Sequence, residues 1–464
     1  MDAIYANGQS FGQQHFAAAE LGDQRRTKRL VELADRLCRH PAGTLPSKLL
    51  VPADLQAFYR LCNCPAVTHE AVLAPHRHQT LTAMRAHEGV VLIVHDATEL
   101  DYTKKKSLQR LGQIGNGHHR GYLAHHSLAV DAQQCAVIGL VSQILHCRPR
   151  VGTGETQRQR RQRANRESRL WLRGAEAVGP VPQGKRWIDV ADRGADTFEF
   201  LDYERRHERH FVIRSAYNRR LAGGERAKRR YLHTVARRLP MLGTRTVKVP
   251  ARAGQPARTA QVGIAATAVT IKAPYSKNGE HGNEPVPVWV VRVWELEPPS
   301  AEEQLEWLLL TSEPAASLAD AVQIVQWYEC RWIIEEYHKG LKTGMGIEKL
   351  QFKCEEAQEP AIALLSVVGL TLLKLRDLAR NPETKDLPAT SILAQDYVDL
   401  LSAWRYREKR PLTIHEFHWA LARLGGHQNR PSGPQPGWIV LWRGWMELQA
   451  MVAGAHALRR KNVA

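Results

Sequence analysis

WYECRWIIEEYHKGLKTG, residues 327–344, contains no proline and reads as a single helix up to Gly344. Within it Tyr328, Arg331, Glu335 and Lys342 follow one another at spacings of three, four and seven residues. At 3.6 residues per turn these spacings keep all four side chains within an arc of roughly 60°. One helix face therefore carries an aromatic hydroxyl, a guanidinium, a carboxylate and an ammonium. The row is about 21 Å long at 1.5 Å rise per residue, so its two ends cannot hold one small ligand. A cationic row with one acid in its middle suits a phosphodiester chain whose scissile phosphate lies at that acid. Glu336 points about 100° away from the row, which leaves Glu335 as the functional carboxylate of the pair.

Upstream, short apolar runs bounded by Gly and polar turns read as strands: VVLIVHD (90–96), GYLAHHSLAV (121–130), CAVIGLVSQIL (135–145), WIDVAD (187–192) and RHFVIRS (209–215). Asp96 and Asp192 are expected at strand ends, each sharing a face with the apolar residues two and four positions before it. Carboxylates at the ends of neighbouring strands, with a third on a helix packed over them, converge on one point. Three such hard oxygen donors suit Mg²⁺ or Mn²⁺. Glu99, Asp101, Asp189 and Asp196 are nearby acids assigned to structure or to support of that cluster. Strands interleaved with helices and closed by an acid-bearing helix form the ribonuclease-H-like α/β plan. The distance from Asp192 to Glu335 exceeds what a compact version needs, so a mainly β subdomain is expected at about 216–305. Residues 1–70 read as an all-α domain with Leu30, Leu33, Leu37 and Leu61 facing its core, 71–355 as the catalytic domain, and 356–464 as helical.

The net charge of +18 over 464 residues points to a polyanionic partner. No apolar run approaches the roughly 18 residues of a membrane span. MDAIYANGQSFGQQ has no basic segment followed by an apolar one, so no secretory signal is expected. The seven cysteines (38, 62, 64, 135, 147, 330 and 354) are scattered and read as reduced thiols. The histidines of HHRGYLAHH (118–126) lack a Cys or carboxylate at ligand spacing and are not read as a zinc site. Arginines 158, 160, 161, 163, 166, 169 and 173 form no helical stripe; DNA wrapping and a solvated face stand level for them. The run Arg226, Lys228, Arg229, Arg230 is a candidate DNA track.

The spacing Tyr-x2-Arg-x3-Glu-x6-Lys, downstream of two strand-end aspartates, resembles the insertion-sequence-four family of DDE transposases. The likeness extends to LGDQRRTKRL (21–30), DATELDY (96–102), VADRGADTFEFL (190–201), EWLLLTSEP (306–314) and WALARLGG (419–426), nearly the whole chain. The resemblance implies a cut-and-paste transposase in which Asp96, Asp192 and Glu335 bind two Mg²⁺ ions, with Mn²⁺ as substitute. It implies that Arg29 and Arg39 contact transposon-end DNA, with Arg60 a further candidate. Lys339 and Lys342 would neutralise phosphates beside the acids. Tyr328 and Arg331 would hold a phosphate next to a flipped base while a DNA hairpin forms. Trp307 would fill the space left by that base, and Arg214 would belong to the same site. The partners implied are double-stranded end DNA, target DNA and a second copy of the chain, joined through the C-terminal region in a synaptic homodimer. The location implied is the bacterial cytoplasm, on the nucleoid. Two readings compete with it: a non-catalytic DNA-binding relative and a structure-selective nuclease.

Overall fold

The computed structural model describes residues 9–149, 154–156, 159–160, 163–223, 230–249, 258–275, 281–298, 304–430 and 435–461. A mixed ten-stranded sheet forms its centre. β1 (Val91–Asp101), β3 (Arg120–Asp131) and β4 (Ala136–His146) make an antiparallel meander, with the short β2 (Gly112–Gln113) pairing the start of β3. On the other side of β1, β5 (Trp187–Ala191) and β6 (His210–Arg214) add in parallel. The stretch after β6 supplies β7 (Gly243–Val249), β8 (Arg258–Ile271) and β9 (Val286–Glu295), and then β10 (Glu306–Thr311) returns to pair with both β6 and β9. The β-rich stretch thus continues the central sheet.

Val91, Leu92, Ile93 and Val94 are all fully buried, as a strand covered by helices on both faces requires. By alternation, Leu92, Val94, Ile188, Val190 and Val212 face the main core, while Val91, Ile93 and Trp187 pack on the opposite side with Leu81 and Met84. The main core runs without a break from Phe11 to Val452, joining N-terminal helices, sheet and C-terminal helices.

Among the N-terminal helices, α1 (Gln24–Arg39) buries Leu30, Leu33 and Leu37 on one face and turns Arg25 and Arg29 outward. Asp23 caps it, its carboxylate accepting from the Arg25 N–H at 2.8 Å. Lys48, 1% exposed, lies on the seam between the N-terminal helices and the turn at Met345. Its Nζ donates to the carbonyls of Pro41, Gly43 and Met345 at 2.7, 2.8 and 2.8 Å. Burial, with Lys349 second, pulls this ammonium down to about 7. The C-terminal helices Ile414–Leu424 and Trp438–Lys461 meet backbone to backbone: a Cβ at Gly425 would strike the Val440 carbonyl, and one at Gly444 the Leu421 carbonyl. No described helix is long and apolar enough to cross a membrane.

Three expectations are corrected. The 327–344 stretch is not one helix: it breaks between Leu318–Glu329 and Trp332–Lys339 and ends in a π-turn at Gly340–Gly344. At the break the amides of Arg331, Ile333 and Ile334 bond three residues back, a tightened turn that no Gly or Pro announces. Asp96 does not end its strand; β1 continues five residues past it to Asp101. What ends at this level is the parallel pairing with β5, whose last matched pair is His95 with Ala191. Lastly, the cysteines are not all thiols: Cys135, in the β3–β4 turn, is disulfide-bonded to Cys330 at the helix break. The other five form no disulfide.

Candidate active site

β1 and β5 are matched residue for residue up to His95 and Ala191, and one step further brings Asp96 alongside Asp192. Asp192 leaves the strand as the cap of a short turn, its Oδ1 accepting from the Gly194 N–H at 2.9 Å. Glu335 approaches from the helix Trp332–Lys339. Arg331, at the helix break, lies between the acids: Nη1 donates to Asp96 Oδ2 at 3.2 Å and Nη2 to Glu335 Oε1 at 2.6 Å. The family resemblance assigned this guanidinium to phosphate; its bond to Asp96, 235 positions away, left no trace in the spacing.

Burial first, and the Asp192 charge second, push Asp96 up to about 7; Glu335 adds to this and Arg331 opposes it. Asp192 is raised as well, by burial above all and by Glu335, against the Gly194 N–H and Arg331. Carboxylates that hinder one another's ionisation and share one guanidinium form a site that gains from a divalent cation. Among the described residues no group of three His, Cys, Asp or Glu side chains stands ready-made around a metal position. Arg331 engages one oxygen each of Asp96 and Glu335. The donor set, all carboxylate oxygen, is the one Mg²⁺ and Mn²⁺ prefer.

Beside the acids an open groove of about 560 Å³ is lined by Asp96, Thr98, Glu335, His338, Lys339 and Lys342. Lys339 is exposed; Lys342 Nζ lies 3.5 Å from Glu348, whose Oε1 also accepts from the Asp101 N–H. On the other side of Glu335, Trp307 and Tyr328 meet edge-on with ring centroids 5.7 Å apart, and Arg331 lies 5.8 Å from the Tyr328 ring. Arg214, at the end of β6, pairs in register with Leu309 of β10 and donates to the Glu306 carbonyl at 3.0 Å. Six of the sequence-nominated residues therefore gather around the acids. Arg29, Arg39 and Arg60 sit apart, exposed on the N-terminal helices; Arg29 pairs with Glu32 at 3.0 Å.

The supporting acids have structural partners. Asp189, fully buried, accepts from Arg209 and His95 at 2.7 Å each. Asp196 accepts from the amides of Ala216 and Tyr217 and pairs with Arg219. Glu99 accepts from the Gly115 N–H, and Asp101 from Thr103. Glu336 pairs with Arg376, away from the site. His126, on β3 opposite Asp96, shares a hydrogen bond with His338 at 3.0 Å and receives one from Gln143 at 2.7 Å. This buried contact ties the helix bearing Glu335 to the sheet, and the sequence reading missed it. Arg160 and Arg163 pair with Glu155, and Arg166 with Glu199, which engages them within the chain. Arg158, Arg161, Arg226, Lys228 and Arg229 lie outside the described residues.

A carboxylate cluster on a mixed sheet, flanked by cations and aromatics, defines an enzyme of phosphodiester chemistry. Comparison with protein families gives the particular class: residues 89–368 match the transposase DDE domain and residues 9–67 the transposase DNA-binding domain. The chain belongs to the transposase DDE domain family. It is a DNA-binding, metal-dependent enzyme of DNA cleavage and strand transfer.

Proposed function

We propose that the chain is a cut-and-paste transposase of the insertion-sequence-four branch, with Tyr328, Arg331, Glu335 and Lys342 as its signature. Asp96, Asp192 and Glu335 are the catalytic acids, and the observation that carries this is the Arg331 guanidinium bonded to both Asp96 and Glu335, with Asp192 alongside Asp96 one step past the matched strands. A ribonuclease-H-like core is supported by the strand order β4-β3-β1-β5-β6, antiparallel and then parallel. Two Mg²⁺ or Mn²⁺ ions held by the three carboxylates would activate the attacking hydroxyl and stabilise the leaving oxygen.

The chain's own groups account for the rest. Lys339 and Lys342 bind phosphates along the groove, so that the strand lies with one phosphorus at the acids. Arg331, displaced from the carboxylates, is free to take up a phosphate next to the scissile one. Water nicks one strand, and the freed 3′-hydroxyl attacks the opposite strand to give a hairpin. A second water opens the hairpin, and the ends join target DNA. Each step is an in-line displacement at the same acids. During the hairpin Trp307, beside Tyr328, fills the space the extruded base leaves and stacks there on the neighbouring base, with Arg214 at the same site; such stacking contributes about 1–3 kcal/mol. Residues 1–70, through Arg29, Arg39 and Arg60, hold the transposon end, residues 71–355 catalyse, and 356–464 join two copies into a synaptic homodimer.

The test is incubation with duplex DNA carrying the element's terminal repeats and Mg²⁺ or Mn²⁺, beside Glu335→Gln. Nicks and hairpins at the repeat boundary, absent from the variant, are expected. Tight end binding without cleavage would overturn the catalytic reading, and cleavage indifferent to the repeats would make the chain a nuclease.

A further inference from the structure

Cys330 sits between Tyr328 and Arg331, in the tightened turn where the two helices meet. Its sulfur is bonded to Cys135, 195 residues away in the chain. Cys135 belongs to the turn between β3 and β4, in the left-handed region at φ 51°, in a turn whose Gln133 and Gln134 amides are tied to Asp131. The bond therefore anchors the backbone next to Arg331 to a fixed corner of the sheet. Cys330 is 4% exposed, whereas Cys135 is half-buried and lines an open cavity of about 630 Å³ with Trp332, Glu336 and Arg380. A small thiol or disulfide can reach the pair from that side.

We propose that Cys135 and Cys330 are a redox-responsive latch, exchanging with low-molecular-weight thiols and disulfides and setting how readily Arg331 gives up Asp96 and Glu335 to divalent ions. In oxidation the Cys135 thiolate attacks one sulfur of a glutathione-type disulfide, forming a mixed disulfide and releasing one thiolate. The Cys330 thiolate then attacks the Cys135 sulfur and releases the second. Two electrons pass to the oxidant, and the two cysteine protons end on the two thiols released. Closed, the latch pins the backbone beside Arg331 while its guanidinium engages the carboxylate oxygens. Open, the turn can relax and the guanidinium can leave. The inference rests on the acids being the metal site, but its chemistry is separate from strand cleavage.

The test equilibrates the full chain in mixtures of glutathione and its disulfide, alkylates free thiols and counts them by mass. The oxidised form should carry two fewer alkyl groups, assigned by peptide mapping to Cys135 and Cys330. Half-saturation by Mn²⁺, read by calorimetry without DNA, should need at least tenfold more metal in the oxidised form. Repeat-end nicking should shift in the same direction. Cys135→Ser and Cys330→Ser should match the reduced protein in both buffers. Full alkylation of both cysteines in the disulfide buffer would overturn the proposal, as would equal Mn²⁺ binding by the two forms. A chain that binds Mn²⁺ in this redox-dependent way yet never nicks would sink the cleavage reading and leave the latch standing.

Discussion

Replacing Glu335 by Gln separates a group kept for chemistry from one kept for folding. The carboxylate pairs with Arg331 at 2.6 Å and is 28% exposed. A half-open pair of this kind contributes about 0–1 kcal/mol. Its negative charge also raises Asp96 and Asp192, a repulsion that Gln removes. The two effects oppose each other, so the metal-free variant should stay within about 1 kcal/mol of the wild type, a shift of a few degrees in Tm. With metal the two proteins should diverge. At a concentration about 100-fold above Kd the wild type gains about 2.7 kcal/mol, a gain the variant, short of one ligand, should largely lose. Nicking should fall by at least about 10³-fold, equivalent to about 4 kcal/mol of transition-state stabilisation. Thermal melts in chelator and in Mn²⁺, with a nicking assay on the same samples, read all three quantities. A variant that melts about 10 °C lower in chelator would mark Glu335 as a structural acid. Cleavage near the wild-type rate would remove it from the site altogether.

Other perturbations fall on different parts of the molecule. Asp189→Asn leaves the buried Arg209 guanidinium without its main partner and should cost about 3–5 kcal/mol, seen as a lower urea midpoint. A loss under 1 kcal/mol would contradict the pairing. His76, His126 and His418 are held down to about 3 by burial, so they stay neutral in the fold and take up protons on unfolding below pH 6.5. Asp96, held up at about 7, opposes them with one proton. His15, His125 and His338 are lowered in the same way, so proton uptake on unfolding exceeds release and stability falls as pH drops below 6.5, by roughly 1.4 kcal/mol per pH unit for each net proton, readable as the urea midpoint at pH 5 and 7. A midpoint that is level or higher at pH 5 would refute this. Arg29→Ala should weaken repeat-end binding and lower the slope of log K against log salt by about one unit. An unchanged slope would make Arg29 a solvated side chain paired with Glu32. Trp307→Ala should nick normally and accumulate unhairpinned product, whereas equal loss of nicking would mean that the ring supports the fold around Tyr328.

What the sequence made legible was whatever depends on local spacing. Apolar runs located β1, β3, β4, β5 and β6, and the leucine stripe of Gln24–Arg39 pointed inward as its periodicity required. Asp96, Asp192 and Glu335 were nominated from their positions in three separate elements, which the register between β1 and β5 draws together. What stayed hidden was tertiary. The break at Cys330 coincides with a cross-link to a residue 195 positions away, and helix periodicity carries no trace of either. Arg331 looked like a phosphate ligand because its charge was read against DNA and not against the neighbouring carboxylates. The His126–His338 contact joins residues 212 apart, on a strand whose histidines resembled any buried polar pair.

Family boundaries at residues 9–67 and 89–368 invite the view that the DNA-binding helices are a cassette, to be exchanged between transposases at will. Lys48 argues otherwise. Of its three acceptors, two lie in its own half and the third, Met345, closes the turn that follows the helix Trp332–Lys339. A chimera that imported a different residue at 48 would leave the Met345 carbonyl orphaned inside a buried seam. One that imported a lysine against a foreign 340–346 segment would bury an ammonium one acceptor short. New DNA specificity is therefore better sought by changing exposed side chains on a retained scaffold than by grafting the whole N-terminal unit. The modularity of the chain is a property of its alphabet more than of its architecture.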